Sequence, residues 1–204
     1  MKFIGETGQD KWVVEFFKAK RNGYFVDVGA YDGVEGSNTY YLEKVLGWSG
    51  ICIETFFAHF NVMRTARSCI LENVAVWSKP TTLYFQPGDH TTKSQQAGIP
   101  SRATTLTELF KKHNTPKIID YINLDIEGSE YEALLGFPFD THIGITWTIE
   151  HNMCVSKNPT YKNKIKDLML SKGYIIAHEN VGCKNSNWEP MEDWWIFKDY
   201  KKYM

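Results

Sequence analysis

Residues 24–36 read Tyr24-Phe25-Val26-Asp27-Val28-Gly29-Ala30-Tyr31-Asp32-Gly33-Val34-Glu35-Gly36. The first five form a short apolar run broken only by Asp27, the pattern of a buried strand. The glycines that follow permit a tight turn and a close approach of backbone to a ligand. A helical pattern occupies residues 37–46, with Ser37 or Asn38 near its cap. Strand, glycine turn and helix in that order open an α/β sheet, where ligands gather at the carboxyl ends of strands.

The same alternation continues on both sides. Upstream, residues 9–20 place Trp12, Val13, Phe16 and Phe17 on one helical stripe, which Asn22-Gly23 ends. Downstream, strands are predicted at 51–55, within 69–77 with a break near Glu72-Asn73, and at 81–85, 118–124, 143–149, 173–178 and 193–197. Helices are predicted at 56–67, 104–113, 129–135 and 160–171. Residues 86–103 are polar, aperiodic and carry two Gly and two Pro, so they read as one surface loop and a natural substrate lid bearing His90, Lys93 and Arg102. Alternating strands and helices predict a single α/β domain over 1–204 with a mostly parallel sheet covered on both faces. No helix separates the last two strands, which predicts an antiparallel edge pair.

Composition narrows the function. The 204 residues hold 23 Lys plus Arg against 24 Asp plus Glu, a formal charge of −1 that counts against a general nucleic-acid binder. Apolar residues make up 43% and aromatic residues 15%, enough for a core and for part of a ligand surface. The four cysteines, Cys52, Cys69, Cys154 and Cys183, include no CxxC and read as independent reduced thiols. The chain shows neither a signal-peptide core nor a membrane-length apolar run, so a cytoplasmic setting is expected.

Four strand ends carry acidic or polar groups. Asp27 precedes a GAYDG turn, not the GxGxxG of dinucleotide folds. A carboxylate there suits an ammonium group and repels a pyrophosphate, which favours S-adenosylmethionine over NAD. Glu54 ends the second strand, where an acid binds ribose hydroxyls. Asn73-Val74-Ala75-Val76 ends the third, either as an adenine wall or as plain core. Asp125 and Glu127 flank one residue at the next end, before Gly128. Asp125 can stand beside a transferred methyl, orient a substrate hydroxyl or bind a metal, while Glu127 serves equally well as a structural group. Glu150 and His151 end the following strand. His151 is a candidate general base because its ordinary pKa lies near neutrality, with a structural histidine as the alternative.

These residues and spacings resemble the FkbM-type methyltransferase family over most of the chain. The resemblance is carried by Gly8-Gln9-Asp10, Phe25 to Ala30, Gly47 to Glu54, Asn73 to Trp77, Leu124 to Glu130 and Glu150-His151-Asn152, with Gly173-Tyr174 and Trp194-Trp195-Ile196. It implies a Rossmann-like class I methyltransferase fold: a seven-stranded sheet, mostly parallel, whose last strand is antiparallel. It implies S-adenosylmethionine as cofactor and methyl transfer to oxygen, often a sugar hydroxyl. It places the methionine end of the cofactor around Asp27 and Gly29, the ribose on Glu54, and Asp125 beside the donor methyl. Cofactor-binding candidates are then Gln9, Asp27, Gly29, Tyr31, Gly33, Glu54, Asn73, Ala75 and Asp125. Catalytic candidates are Asp125, His151 and Glu150. The chain departs from the family pattern at Thr55, where proline is usual, and at Arg64-Thr65-Ala66-Arg67, where asparagine tends to precede the last arginine.

The expected reaction is O-methylation of a sugar, glycan or small molecule. Asp125 or His151 takes the proton, and Glu150 orients or binds a divalent ion; no metal site is otherwise indicated. The competing classes are a ribose or cap methyltransferase, which would need a basic path over Lys111, Lys112, Lys117, Lys162, Lys164 and Lys166, and a cofactor-binding protein without turnover. The expected partner is thus a small-molecule or glycan substrate, not nucleic acid or membrane.

Overall fold

The computed structural model describes residues 2–85, 92–93, 98–153, 157, 159–183 and 187–204. Seven strands form the main sheet: β1 (Tyr24–Val28), β2 (Ser49–Ile53), β3 (Ile70–Glu72), β8 (Ile118–Leu124), β9 (Ile143–Glu150), β10 (Tyr174–Val181) and β11 (Glu192–Phe197). Their order is β3-β2-β1-β8-β9-β11-β10, as the class I methyltransferase fold requires. The order reverses direction between β1 and β8, so a crevice opens at their carboxyl ends.

Strand β11 runs antiparallel to both β9 and β10. The expected antiparallel pair therefore exists, but β11 inserts between β9 and β10, and only β10 is an edge strand. A second, four-stranded sheet is ordered β4-β7-β5-β6, from β4 (Ala75–Val76), β5 (Thr81–Phe85), β6 (Thr92–Lys93) and β7 (Ile99–Thr104). The 86–103 stretch is thus not one loop. Polar composition hid β7, whose residues Ile99 to Ala103 pair along β5. Residues 86–91 and 94–97, with His90, lie outside the described residues.

Among the described residues, six α-helices cover the sheet: α1 (Gln9–Phe16), α2 (Tyr40–Lys44), α3 (Phe57–Ala66), α4 (Leu106–His113), α5 (Glu130–Leu135) and α6 (Pro159–Ser171). Alternation along each strand sorts side chains to two faces. Val26, Val28, Ile51 and Ile53 pack with Leu106, Phe110, Leu134 and Met169 on one face. Phe25, Cys52 and Tyr121 pack with Val13, Phe17, Leu42 and Met63 on the other. Helix α4 is capped by Thr105, whose Oγ1 accepts from Glu108 N at 3.0 Å.

One reading of the sequence needs correction. The Cys52 and Cys69 thiols are not independent, because their sulfurs lie 3.5 Å apart, between β2 and the residue before β3. Cys154 lies outside the described residues. Trp147 and Trp195 are fully buried in the core. Among the described residues, no helix is long and apolar enough to cross a membrane.

Candidate active site

Three strand ends meet at the Gly29 turn. Gly29 N and Ala30 N both donate to Ile53 O, at 2.9 and 3.0 Å, and Asp125 N donates to Val28 O at 3.0 Å. Gly29 has φ +87°, and a Cβ there would sit 1.7 Å from the Asp125 carbonyl oxygen. Only glycine lets β1 turn this close beneath the end of β8. Tyr31, at φ 51°, donates its backbone N–H to Glu54 Oε2 at 3.0 Å, and Phe56 N donates to Glu54 Oε1 at 2.7 Å. Burial nonetheless lifts the Glu54 carboxyl to about 7, with the Asp27 charge adding to the rise.

Asp27 projects from β1 on the face opposite Val26 and Val28, and is almost fully buried. Its Oδ2 accepts from Thr39 Oγ1 at 2.6 Å and its Oδ1 from Asn123 Nδ2 at 3.0 Å. Burial pushes its pKa up against the opposing pull of Arg67. Arg67 is itself buried. It donates to Glu43 Oε2 at 2.6 Å, Gly33 O at 3.1 Å, Ser37 Oγ at 3.3 Å and Thr39 Oγ1 at 2.9 Å. Arg67, the arginine whose preceding residues depart from the family pattern, thus ties the glycine turn to Thr39, which in turn donates to Asp27. The Thr55 hydroxyl donates to Val74 O at 3.4 Å, tying the end of β2 to the segment before β4.

At the next strand ends, ligand oxygens of Asp125, Glu127 and Glu150 lie within 4.8 Å of one another. Such a set of oxygens can hold a hard divalent cation. Burial drives both Asp125 and Glu150 well above the ordinary carboxylate range. The Glu127 and Glu130 charges reinforce the rise at both. Asn152 Nδ2 donates to Glu150 Oε2 at 2.9 Å. Glu130, which closes the Leu124 to Glu130 stretch, carries no site role in the sequence reading. It is fully buried, and its Oε1 accepts from Ile126 N and Gly128 N at 2.9 and 3.1 Å, fixing the loop that carries Glu127.

A cavity of about 400 Å³ occupies the crevice. Of the residues expected there, Asp27, Gly29, Tyr31, Glu54, Ala75 and Asp125 line it. Gln9, Gly33, Asn73, Glu150 and His151 are not among its lining. Gln9 supports the β11 side: Gln9 Nε2 donates to Glu192 Oε2 at 3.2 Å, and Thr7 Oγ1 donates to Glu192 Oε1. Asn73 Nδ2 donates to the Glu54 and Thr55 carbonyls at 2.8 and 3.0 Å, shaping the turn from behind. His151 is buried. Its Nδ1 accepts from Met153 N at 3.3 Å and its Nε2 faces Asp193 Oδ1 at 3.5 Å. Sequence reasoning missed Ser37, Asn38, Asn123 and the aromatic wall of Phe56 and Phe85, all of which line the cavity. Ser37 and Asn38 are visible in the sequence only as cap residues, and Phe56 only within the helix predicted at 56–67.

The cavity walls combine carboxylates with one apolar end, and among the described residues no lysine or arginine lines them. The conserved sequence pattern described as the methyltransferase FkbM domain matches residues 27–176, most of the chain. The chain belongs to the FkbM methyltransferase family. This FkbM-family chain is similar in structure to methyltransferase FkbM from Methylobacillus flagellatus, with a TM-score of 0.59 at 14% identity. That match covers 85% of this chain and 43% of the other, so the FkbM chain described here spans less than half of that relative's length. An O-methyltransferase from Bacillus cereus, solved with SAH, matches with a TM-score of 0.55 at 12% identity over 93% and 80% of the two chains. A rRNA-methylase-like protein from Clostridium thermocellum matches with a TM-score of 0.54 at 11% identity over 96% and 97%. At such identities these likenesses concern the fold. No curated protein matches the chain.

The family's cofactor is S-adenosylmethionine, and the cavity suits it. Carboxylates face a cofactor that carries a sulfonium and an ammonium. Phe56, Ala75, Val76, Leu83 and Phe85 offer an apolar end for a base. Asn38 leaves a buried amide oxygen with no hydrogen-bond partner at the wall, as a polar ligand site does before it is filled.

Proposed function

We propose that this FkbM-family chain methylates a hydroxyl oxygen of a sugar, glycan or other small molecule. The observation that carries the reading is the pairing of Asp125, which lines an acidic cavity, with the buried Glu150. Asp27 would hold the cofactor's ammonium, Glu54 its ribose, and Ala75 with the aromatic wall its adenine; the sulfonium supplies an activated methyl.

A sugar hydroxyl is a weak acid and needs a base as its oxygen attacks. Two close, buried carboxylates resist losing both protons, so the pair holds one proton and keeps one basic oxygen. Asp125, which lines the cavity, accepts the hydroxyl proton, and Glu150 behind it shares the charge. His151 acts by positioning β9 against Asp193. The enclosing walls hold the acceptor in line, which supplies much of the rate.

Wall chemistry supports a neutral acceptor over a polyanion. None of Lys111, Lys112, Lys117, Lys162, Lys164 and Lys166 lines the cavity. Lys112 pairs with Glu72, and Lys162 and Lys166 pair with Glu179. The free thiols of Cys52 and Cys69 fit a reducing, cytoplasmic setting.

The deciding experiment is a labelled-methyl transfer screen over free sugars, glycans, carboxylates and capped RNA. Label in a base-stable ether on a sugar is the expected result. Label on RNA alone would establish the nucleic-acid reading. Cofactor binding without transfer to any class would establish a binding protein.

A further inference from the structure

Cys52 lies in β2, inside the main sheet, on a strand held from both sides: it stands opposite Asp27 of β1 and Leu71 of β3. Cys69 comes just ahead of β3. It shares a face with Leu71 and Cys52, since side chains alternate along a strand. The two thiols therefore meet, and Cys69 Sγ donates to Cys52 Sγ at 3.5 Å. Cys52 is fully buried, whereas Cys69 is half-buried and reachable from solvent.

One reachable thiol against one enclosed thiol is the arrangement of an oxidisable cysteine and its resolving partner. A cation completes it. The Arg67 charge acts on both sulfurs, and a positive neighbour favours thiolate, the form that reacts. Burial nonetheless pushes the Cys52 thiol well up, so Cys52 keeps its proton and reaction starts at Cys69. Neither thiol lines the cavity, so the chemistry proposed above uses neither of them.

We propose that Cys52 and Cys69 are a reversible oxidation site, joined into an intrachain disulfide by hydrogen peroxide, and that the bond loosens the grip on the cofactor. The Cys69 thiolate attacks one peroxide oxygen and the O–O bond breaks. Cys69 becomes a sulfenic acid, and the departing hydroxide takes up the proton the thiol had lost, giving water. Cys52 Sγ then attacks the Cys69 sulfur. The S–O bond breaks, and that hydroxide leaves with the Cys52 proton as a second water. The two sulfurs lose two electrons, which the peroxide gains. To bond, the sulfurs must close from 3.5 Å to about 2.05 Å. Cys52 is fixed between two strands, so the movement falls on Cys69 and the chain before it. That chain carries Ser68, whose N–H donates to Glu43 Oε1 at 2.7 Å, and Arg67, which donates to Gly33 O, Ser37 Oγ and Thr39 Oγ1. Closure therefore pulls on the arginine that holds the glycine turn, with Ser37 at the cavity wall. In a reducing compartment such a bond is transient, as a switch requires. The effect on the cofactor rests on the assignment of the cavity to it; the oxidation does not.

Peptide mapping of the full chain by mass spectrometry, before and after hydrogen peroxide, tests this. The expected product is a bridge between the peptides carrying Cys52 and Cys69, reopened by dithiothreitol. Cys52→Ala should stop at a sulfenic acid on Cys69, trapped by dimedone, and Cys69→Ser should leave Cys52 unoxidised. Calorimetric titration with S-adenosylhomocysteine should find the oxidised wild type weaker by on the order of tenfold, the scale of one hydrogen bond to a charged group, and restored by the reductant. Cys69→Ser should bind as the reduced wild type does and keep that affinity in peroxide. Wild type whose Cys52 and Cys69 stay unbridged in peroxide, or bridge to other cysteines, would overturn the inference, and that comparison needs no variant to fold. Bridged protein that binds as tightly as reduced protein would overturn the link through Arg67. If reduced wild type does not bind S-adenosylhomocysteine, the cavity assignment fails, while the mapped bridge still decides the oxidation site.

Discussion

Asp27 and Asn123 stand opposite each other on neighbouring parallel strands, and Asn123 Nδ2 donates to Asp27 Oδ1 at 3.0 Å. Asn123 Oδ1 in turn accepts from Thr148 Oγ1 at 2.7 Å, and the Thr148 hydroxyl lies 2.7 Å from Tyr121 Oη. The acid thus sits at the end of a buried polar chain crossing three strands. Asn123→Ala should leave Asp27 Oδ1 and the Thr148 hydroxyl short of partners. A loss of about 1–3 kcal/mol in denaturant-determined stability is expected, with weaker cofactor binding. Stability unchanged within error would show that water replaces the amide.

Glu54 makes a pH-dependent contribution. Its folded pKa of about 7 lies above the ordinary 4.5, so the folded state holds the extra proton between those values. Its contribution to stability is whole below pH 4.5 and is lost as pH rises through about 7. The stability of Glu54→Gln relative to wild type should therefore improve from pH 5 to pH 8, by at most about 3 kcal/mol. The comparison is one of slopes in thermal or urea unfolding without ligand. Parallel pH profiles for the two proteins would contradict it.

Asp125 and Glu150 should show themselves in turnover. Because burial and the neighbouring Glu127 and Glu130 charges raise both, the basic form gains population as pH rises, and the rate should climb with it. Asp125→Ala should remove turnover while leaving S-adenosylhomocysteine affinity within a few fold. Full activity in that variant would exclude Asp125 as the base.

Arg67 and Glu43 form a buried ion pair at 2.6 Å. Arg67→Met should cost about 1.5–3 kcal/mol, because Glu43 keeps only Lys44 and Ser68 N as partners and the Gly33 carbonyl loses its donor. Lysine cannot replace the several donors of guanidinium and should recover only part of that loss. Urea unfolding of the two variants measures both.

The strand ends were legible because each announces itself locally. An apolar run stops, an acid or amide follows, and a glycine turns the chain, as at Asp27-Val28-Gly29 and Asp125-Ile126-Glu127-Gly128. The partners of those acids were not legible. Asn123 meets Asp27 only through the register of β1 with β8, and Arg67 reaches Gly33 only once α3 packs over the turn. Asn38 has a cap residue's identity, and nothing in its neighbours says that its amide stays unpaired. His151 was ambiguous for a related reason. Asp193, which decides where the imidazole faces, arrives on β11, whose insertion between β9 and β10 no local pattern encodes.

The bonds from Thr7 and Gln9 to Glu192 have a consequence for how the protein is made. They close loops of 185 and 183 residues, and β11 brings Glu192 into register with Glu150 only after every other strand has been synthesised. Contacts so distant in sequence are slow to form. On a ribosome, the cofactor side of the crevice can take shape from β1, β2 and β8 while β9 still lacks its neighbour. Assembly of the acceptor side must wait for β11, so a nascent chain is expected to acquire cofactor binding before it acquires transferase competence.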